Sequence, residues 1–343
     1  MGSQETTTRQ RFTHIPVLEE GEHPVENNRY RLTTYAMECM LNKIYSWIEK
    51  STPGAIVYGR PRTGKTESIF EIKSRLPELL GSELPIEIFD CANYAGATPL
   101  ENQFYEDMLA QFGYAIAWRG SKAIKLNRLI DFMAQRAREY NENRFILFLD
   151  EAQCLHEYHF KWLMGIHNRL KKKQVYLVVF LVGQPELLSL RESFASAAQS
   201  QIIGRFMVSD HEFKGITTSK ELEIVLRGFD KIEYPEDSGC SYTEYFLPIA
   251  FKHGWRLHRN ANAILRCFIK ELKTETMLNT KKIEIPMQIL PAVVGYILQI
   301  LTQDDAKDLK LDDSIINDAI EYSDYVDWMR NVVELPIKSR VRN

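Results

Sequence analysis

The sequence has few cysteines, no long apolar run and no excess of charge of one sign. Its five cysteines are scattered over 343 residues without a C-x-x-C pair, which argues against a disulfide-stapled secreted domain and predicts reduced thiols. No stretch reaches about 18 consecutive apolar residues, so no membrane span is predicted. The N-terminal segment also lacks the apolar core of a signal peptide. Together these absences predict a cytoplasmic protein without a membrane partner.

The charged residues nearly cancel. Lys and Arg together number 43 and Asp and Glu 46, which gives a formal net charge of −3. Bulk charge therefore provides no general attraction to nucleic acid. Any contact with DNA has to come from a local basic patch.

Apolar runs alternate with stretches of helical periodicity up to about residue 210. Four stretches are predicted to be strands: Ala55–Gly59, Pro85–Cys91, Arg144–Asp150 and Val175–Gly183. The last two are continuous apolar runs of β-branched and aromatic residues, as is typical of strands buried on both faces. Thr98, with Glu101 three residues later, is predicted to cap the helix after the second strand. The alternation predicts an α/β fold with a parallel sheet flanked by helices, and the residues past Gly215 are predicted to form a smaller, mostly helical part.

The stretch VYGRPRTGKTES, Val57–Ser68, fits the pattern G-x-x-x-x-G-K-[ST] at every fixed position. In this motif the glycines let backbone N–H groups curl around phosphates, the lysine neutralises phosphate oxygens and the threonine hydroxyl binds Mg²⁺. A strand is predicted to end where the loop begins, and a helix to begin near Lys65. We therefore predict a site for ATP and Mg²⁺ whose phosphate loop consists of Gly59, Arg60, Pro61, Arg62, Thr63, Gly64, Lys65, Thr66 and Glu67.

Acidic and polar residues follow two later strands. The run FILFLDEAQ places Asp150 where it can hold Mg²⁺ through water, together with Thr66, and Glu151 where it can polarise an attacking water. Gln184, in LVGQPEL, is predicted to lie between the phosphate loop and the acidic strand end, within reach of the γ-phosphate or the water. The alternative interpretation of Asp150 and Glu151 is a pair of acids at a helix N-terminus. The alternative for Gln184 is a simple turn before a helix.

This ordered set of motifs resembles the AAA+ ATPases, a P-loop NTPase family. The resemblance assigns the Walker A roles to Lys65 and Thr66, the Walker B roles to Asp150 and Glu151, and the sensor 1 role to Gln184. Within the family, LVGQPELLSL followed by SQIIGRF resembles the TnsC- and TniB-type regulators of transposition and the B protein of phage Mu. This resemblance implies that Arg205 is an arginine finger, with Arg191 as the alternative. It also implies that Arg259 is a sensor 2 residue, with Arg256 as the alternative.

The same resemblance implies a function and a domain organisation. In such proteins ATP favours a ring or helical filament of identical subunits around duplex DNA, which links a target-selector protein or a CRISPR effector complex to the transposase. The expected domains are an N-terminal extension at 1–32, an AAA+ nucleotide-binding domain at 33–214, a helical lid at 215–303 and a tail at 304–343 that recruits the transposase.

Two loops are candidates for DNA contact through the phosphate backbone rather than through bases. The stretch AWRGSKAIKLNR supplies Arg119, Lys122 and Lys125, and NYAGATP supplies Tyr94 and Thr98. Ordinary solvated loops of similar composition are common, so this alternative stays open. Two further functions also stay open: an oligomeric ATPase of signalling or secretion that acts without nucleic acid, and a replication initiator or helicase loader.

Overall fold

The computed structural model describes residues 14–276 and 283–334. The chain divides into two compact units, Met37–Lys214 and a second one that combines Met1–Ala36 with Gly215–Asn343. We call the first the α/β unit and the second the helical unit. No helix within the described ranges is long and apolar enough to cross a membrane.

The α/β unit is built on one five-stranded sheet. Its strands follow the order β2-β3-β4-β1-β5, and every neighbouring pair is parallel. The strands are β1 Gly54–Tyr58, β2 Ile86–Asp90, β3 Arg144–Asp150, β4 Tyr176–Gly183 and β5 Ser209–Glu212. The helices of this part of the chain are α1 Tyr35–Glu49, α2 Lys65–Leu80, α3 Glu101–Gln111, α4 Lys122–Glu139, α5 Glu157–Lys172, α6 Glu186–Ser196 and α7 Ser200–Phe206.

The central strands are apolar because helices cover the sheet on both faces. Every residue of β3 from Phe145 to Asp150 is buried, and so is every residue of β4 after Tyr176. Parallel strands need such cover, since their connections pass over the faces of the sheet. The predicted parallel α/β sheet flanked by helices is confirmed. The fifth strand has the sequence SDHE, which carries no apolar signal, and it lies at the edge of the sheet beside β1.

The predicted cap at Thr98 is wrong. Helix α3 begins at Glu101, and Leu100 occupies the cap position with extended backbone angles and no side-chain cap hydrogen bond. The first i→i−4 hydrogen bond of the helix runs from the Phe104 N–H to the Leu100 carbonyl oxygen at 3.0 Å, which makes Leu100 and not Thr98 the cap residue. Thr98 therefore lies in the exposed loop that precedes the helix.

The helical unit has a core of its own. Its helices are α8 Ser219–Phe229, α9 Tyr242–Phe246, α10 Pro248–Lys252, α11 Ala261–Thr276, α12 Ile289–Thr302, α13 Asp313–Tyr322 and α14 Tyr325–Trp328. A one-turn helix at Pro24–Asn27 belongs to the same unit. Apolar side chains of these elements form one continuous cluster that includes Ile264, Phe268, Leu290, Val293 and Ile297.

Segments predicted as an N-terminal extension and a C-terminal tail contribute to this core. Val25 and Leu32 are buried in the cluster, and so are Ile316 and Ile320 of α13. Residues 304–327 are rich in Asp and Glu, but the apolar residues Ile316, Ala319 and Ile320 of α13 recur at helical spacing and are buried. The rest of both predictions, residues 1–13 and the basic end at 335–343, lies outside the described residues.

We predict that Ile320→Ala lowers the free energy of unfolding by about 2–4 kcal/mol, as for other fully buried aliphatic truncations. Ile320 is 0% exposed, so the truncation leaves a cavity. Asp318→Ala, on the exposed side of α13, is the matched control and should change stability by less than about 0.5 kcal/mol. Urea unfolding of the full chain measures both, and equal losses would show that α13 is not part of the core.

Candidate nucleotide-binding site

The phosphate loop joins the end of β1 to the start of α2. A Cβ atom added to Gly59 would lie 2.1 Å from the carbonyl oxygen of Phe213, so only glycine fits there. Gly64 is the cap residue of α2 and has a φ of 105°, a left-handed conformation that favours glycine. The two fixed glycines of the motif are thus required for different reasons. Gly59 allows a close approach of backbone, and Gly64 allows a sharp turn.

Lys65 closes the loop from inside. Its side chain is buried, and Nζ donates to the carbonyl oxygens of Gly59 at 2.9 Å and Arg60 at 2.7 Å. Thr63 donates its hydroxyl to the same Arg60 carbonyl at 2.9 Å. The ammonium and the N-terminus of α2 therefore sit on one short loop, an arrangement that suits phosphate oxygens. Arg62, exposed and with a φ of 62°, forms the outer turn of the loop.

Thr66 and Asp150 connect the phosphate loop to β3. The Thr66 hydroxyl donates to Asp150 Oδ2 at 2.7 Å, although 84 residues separate the two in sequence. Burial raises the pKa of Asp150, while the hydrogen bond from Thr66 opposes this rise. A hydroxyl and a carboxylate side by side are oxygen ligands of the kind that Mg²⁺ prefers, shared with phosphate and water. The residues present therefore fit the metal that the motif implies.

Glu151 follows β3 in an unusual backbone conformation. Its φ of 50° and ψ of 36° are left-handed, a conformation that costs a residue other than glycine about 1 kcal/mol or more. Its N–H donates to Asp150 Oδ1 at 3.0 Å, and its partly exposed carboxylate accepts a hydrogen bond from the Gln153 side chain. Strain of this kind is held by the surrounding structure and is common at functional sites.

Gln184 directly follows β4, which lies between β1 and β3 in the sheet. The structure thus places Gln184 at the same strand edge as the phosphate loop and Asp150. Its backbone N–H donates to Gln153 Oε1 at 3.0 Å. Gln153 thereby contacts both Glu151 and Gln184, yet the sequence motifs assign it nothing. The one feature of the sequence that could have indicated a role for Gln153 is its position two residues after the glutamate in DEAQ.

Asp90 is a second residue that the motif analysis missed. It ends β2 and pairs in register with Asp150. Its Oδ1 accepts the N–H of Ala92 at 2.8 Å, and its negative charge adds to the causes that raise the pKa of Asp150. Three acidic residues, Asp90, Asp150 and Glu151, thus stand at the ends of two adjacent strands.

The candidate finger arginines have contacts within the α/β unit. Arg205, in α7, donates from Nη1 to the Gln201 carbonyl at 3.2 Å, and its charge helps to lower the pKa of His167 on α5, after the larger effect of burial. Arg191 forms an ion pair with Asp210 at 2.7 Å. Arg205 is therefore held by a weaker partner than Arg191 and is the better candidate to reach another molecule.

The two candidate sensor arginines of the helical unit also differ in how firmly their side chains are held. Arg256 donates to the carbonyl oxygens of Phe251 at 2.6 Å and Trp255 at 2.7 Å, and its guanidinium lies 3.5 Å from the centre of the Phe251 ring. Arg259 is exposed and donates to the Gly254 carbonyl at 2.9 Å. Arg256 thus supports the local fold, whereas Arg259 is more exposed.

The candidate DNA residues divide by exposure. Arg119 and Thr98 are exposed, and Lys122 is exposed with an ion pair to Glu101 at 2.9 Å. Lys125 is 2% exposed and pairs with Glu106, so its predicted DNA contact is not supported. The reason is its place on α4, where it faces inward with Leu126 and Leu129.

Tyr94 is also removed from the DNA candidates by its burial. The side chain is 7% exposed, and its hydroxyl donates to Asp107 at 2.6 Å. Its ring packs against Phe104 and His159. Tyr94 therefore anchors its loop to the core, and the exposed part of the surface reduces to Thr98, Arg119 and Lys122.

A protein-family profile described as AAA domain matches residues 49–190. None of the curated proteins matches the sequence. Among solved structures, Drosophila ORC bound to DNA is similar with a TM-score of 0.50 and 13% identity, over 98% of this chain and 78% of that one. The Aeropyrum pernix ORC2 protein in its ADPNP and ADP complexes gives 0.49 and 15%, over 87% of this chain and 71% of that one.

The Aeropyrum pernix ORC1 protein in complex with DNA gives a TM-score of 0.48 and 12% identity, over 84% of this chain and 65% of that one. At 13% identity the likeness to the Drosophila structure bears on the fold alone. The parallel sheet, the phosphate loop at the end of β1 and the matched AAA domain agree with one another. The chain therefore has the AAA+ P-loop NTPase fold, with its nucleotide-binding motifs in the α/β unit.

Proposed function

We propose that the protein is an ATP-dependent AAA+ ATPase that assembles on duplex DNA and regulates transposition, linking a target selector to the transposase. The observation that carries the ATPase part is the 2.7 Å hydrogen bond between Thr66 and Asp150. It brings the phosphate loop and the acidic strand end together at one edge of the sheet. The resemblance of LVGQPELLSL and SQIIGRF supports the transposition part.

In this proposal each polar residue of the strand edge has one task. Lys65 and the start of α2 bind the phosphates, and Thr66 and Asp150 hold Mg²⁺, which supplies positive charge to the phosphate oxygens. Glu151, one residue beyond Asp150 and turned out of β3 by its left-handed backbone, accepts the proton of the attacking water. Gln184 orients that water or the γ-phosphate. A carboxylate base placed in this way typically contributes about 10²–10⁴ in rate.

Arg205 and Arg259 extend the proposal beyond one site. An arginine supplied by a neighbouring subunit stabilises the charge of the transferring phosphoryl group, and Arg205 is proposed for that role in a ring or filament. ATP then favours assembly and hydrolysis loosens it. Arg259, exposed on the helical unit, is proposed as the sensor 2 residue that contacts the nucleotide.

The DNA surface in this proposal consists of Thr98, Arg119 and Lys122. The ion pair of Lys122 with Glu101 is exposed, and such surface pairs are worth about 1 kcal/mol or less, so Lys122 can exchange Glu101 for a phosphate. Arg119 is held in its loop by its carbonyl oxygen, which accepts a hydrogen bond from Arg128. An ordered loop with exposed cations suits contact with the DNA backbone without base recognition.

The alternative function is an oligomeric ATPase of signalling or secretion that assembles without nucleic acid. A replication initiator or helicase loader is a second alternative. Among the described residues after Lys214, β structure is limited to the isolated bridges Ile216–Ile285 and Glu233–Ser241.

We expect Glu151→Gln to bind ATP normally and to lower the hydrolysis rate by about 100-fold or more, because the amide cannot accept the proton. The assembly on DNA should then persist after ATP is added. Phosphate release and electron microscopy of the protein with duplex DNA measure the two effects. Glu236→Gln, an exposed glutamate of the helical unit, is the control, and hydrolysis by Glu151→Gln at the parent rate would exclude the proposed role.

The metal dependence should be sensitive to acid. Mg²⁺ needs the ionised carboxylate, and burial raises the pKa of Asp150, so protonation competes with the metal at a higher pH than for an ordinary aspartate. The Mg²⁺ concentration for half-maximal nucleotide binding should rise by up to about tenfold per pH unit below that pKa. Titrations with a fluorescent ATP analogue between pH 8 and pH 5 measure this rise.

Asp90→Asn tests whether the pKa of Asp150 causes the rise in Mg²⁺ requirement at low pH. The variant keeps the Oδ1 atom that accepts the Ala92 N–H but removes a negative charge that helps to raise the pKa of Asp150. The rise in Mg²⁺ requirement should therefore begin at a lower pH than in the parent. A shift to higher pH, or none, would contradict this account of the site.

Two pairs of lysine and arginine variants separate DNA contact from folding. The double variant Arg119→Ala, Lys122→Ala should weaken binding to duplex DNA and reduce the slope of log affinity against log salt by about 2, with no change in Tm. Lys220→Ala, Lys231→Ala removes the same charge from exposed positions of the helical unit and should leave DNA binding unchanged. Equal effects of the two double variants would contradict the proposed surface.

Lys125→Ala should act differently, lowering the free energy of unfolding by about 1–3 kcal/mol, because Glu106 loses its partner. In this variant the salt dependence of DNA binding should remain that of the parent. Thermal unfolding and fluorescence anisotropy with labelled duplex DNA distinguish the two outcomes.

A further inference from the structure

We infer that Gln153 is a positioning residue, which holds the Glu151 carboxylate and couples its orientation to the backbone of Gln184. This inference rests on the proposed function, because it concerns how the proposed base is aligned. Gln153 lies in the single 3₁₀ turn Ala152–Cys154 that follows β3.

The Gln153 amide bridges the two strand ends. Nε2 donates to Glu151 Oε2 at 2.5 Å, and Oε1 accepts the Gln184 N–H at 3.0 Å. The two partners determine the orientation of the amide, since a carboxylate can only accept and a backbone N–H can only donate. A reversed amide would lose both hydrogen bonds, so only one orientation of the amide makes both contacts.

The chain leaves space for this amide at the end of β4. A Cβ atom on Gly183 would lie 2.1 Å from Gln153 Oε1, 2.9 Å from Leu187 Cδ1 and 3.3 Å from the Ala152 nitrogen. Gly183 has no positive φ, so space rather than backbone conformation requires glycine here. The closest of these contacts is the Gln153 side chain itself.

The bridge limits where the carboxylate of Glu151 can point. Two negative groups, Asp150 and Asp90, stand at the adjacent strand ends, and a free glutamate side chain would turn away from them into solvent. The amide fixes Oε2 and leaves Oε1 to accept a proton from water. Because its other end is attached to Gln184, a shift at the start of α6 is transmitted to the carboxylate.

Gln153→Met tests the hydrogen bonds at nearly constant side-chain length. We expect kcat for ATP hydrolysis to fall by about 10- to 100-fold, within the range of misplaced catalytic groups, while KM for ATP and the melting temperature stay within about twofold and 2 °C of the parent. Gln153→Glu, which faces Glu151 with a second carboxylate, should lose at least as much. Gln135→Ala removes a surface glutamine that pairs with Glu139 at 2.9 Å and should change nothing.

A double-mutant cycle with Gly183→Ala gives the sharper test. Alone, Gly183→Ala should displace the amide and reproduce the fall in kcat. In the Gln153→Ala background the same change should cost less than about twofold, since Oε1 is gone and the Leu187 methyl can rotate away. Effects that multiply instead would overturn the inference.

Failure of the inference about Gln153 can be distinguished from failure of the proposed function. If Glu151→Gln hydrolyses ATP at the parent rate, the role of Glu151 itself is wrong. If Glu151→Gln is inactive while Gln153→Met retains the parent kcat, the proposed function stands and the positioning role of Gln153 is overturned. A rise in KM without a change in kcat would also overturn it, because the residue would then act in binding.

Discussion

The site depends on one constraint, the parallel arrangement of β1, β4 and β3. Because parallel strands end at the same edge of the sheet, the residues that follow them are brought together from distant positions in the chain. The hydrogen bond between Thr66 and Asp150 spans 84 residues of sequence and is possible only with this order of strands. Gln184 follows β4, which lies between β1 and β3, so the strand order alone brings it to the same edge of the sheet.

Close contacts require glycine at both ends of β1 and at the end of β4. At Gly54, Gly59 and Gly183 a Cβ atom would lie between 2.1 and 2.4 Å from a neighbouring atom. The contacts at Gly54 and Gly59 are carbonyl oxygens of Arg205 and Phe213, whereas that at Gly183 is a side-chain atom of Gln153. Two of these glycines thus let backbone pass closely beside β1, and the third accommodates a functional side chain.

The sequence was sufficient for the features that depend on strong local signals. Strands β3 and β4 are continuous apolar runs, β1 and β2 are shorter stretches rich in apolar residues, and the loop motif fixes residue types at set spacings, so these features could be predicted. Strand β5, with the sequence SDHE, could not, because pairing at the edge beside β1 and not apolar burial decides its conformation. Lys125 and Tyr94 were misjudged for a related reason, since their burial depends on which side of a helix or loop meets the core.

Gln153 shows the limit of motif analysis most clearly. A glutamine in a turn has many possible partners, and the backbone conformation of Glu151, two residues earlier, helps to select among them. The left-handed conformation of Glu151 turns the chain directly after β3 into the Ala152–Cys154 turn, and from this turn Gln153 reaches the end of β4. The strain at Glu151 therefore has a structural consequence beyond the exposure of one carboxylate. It brings the side chain that holds this carboxylate against the neighbouring strand, so the proposed base and its support arise from the same turn.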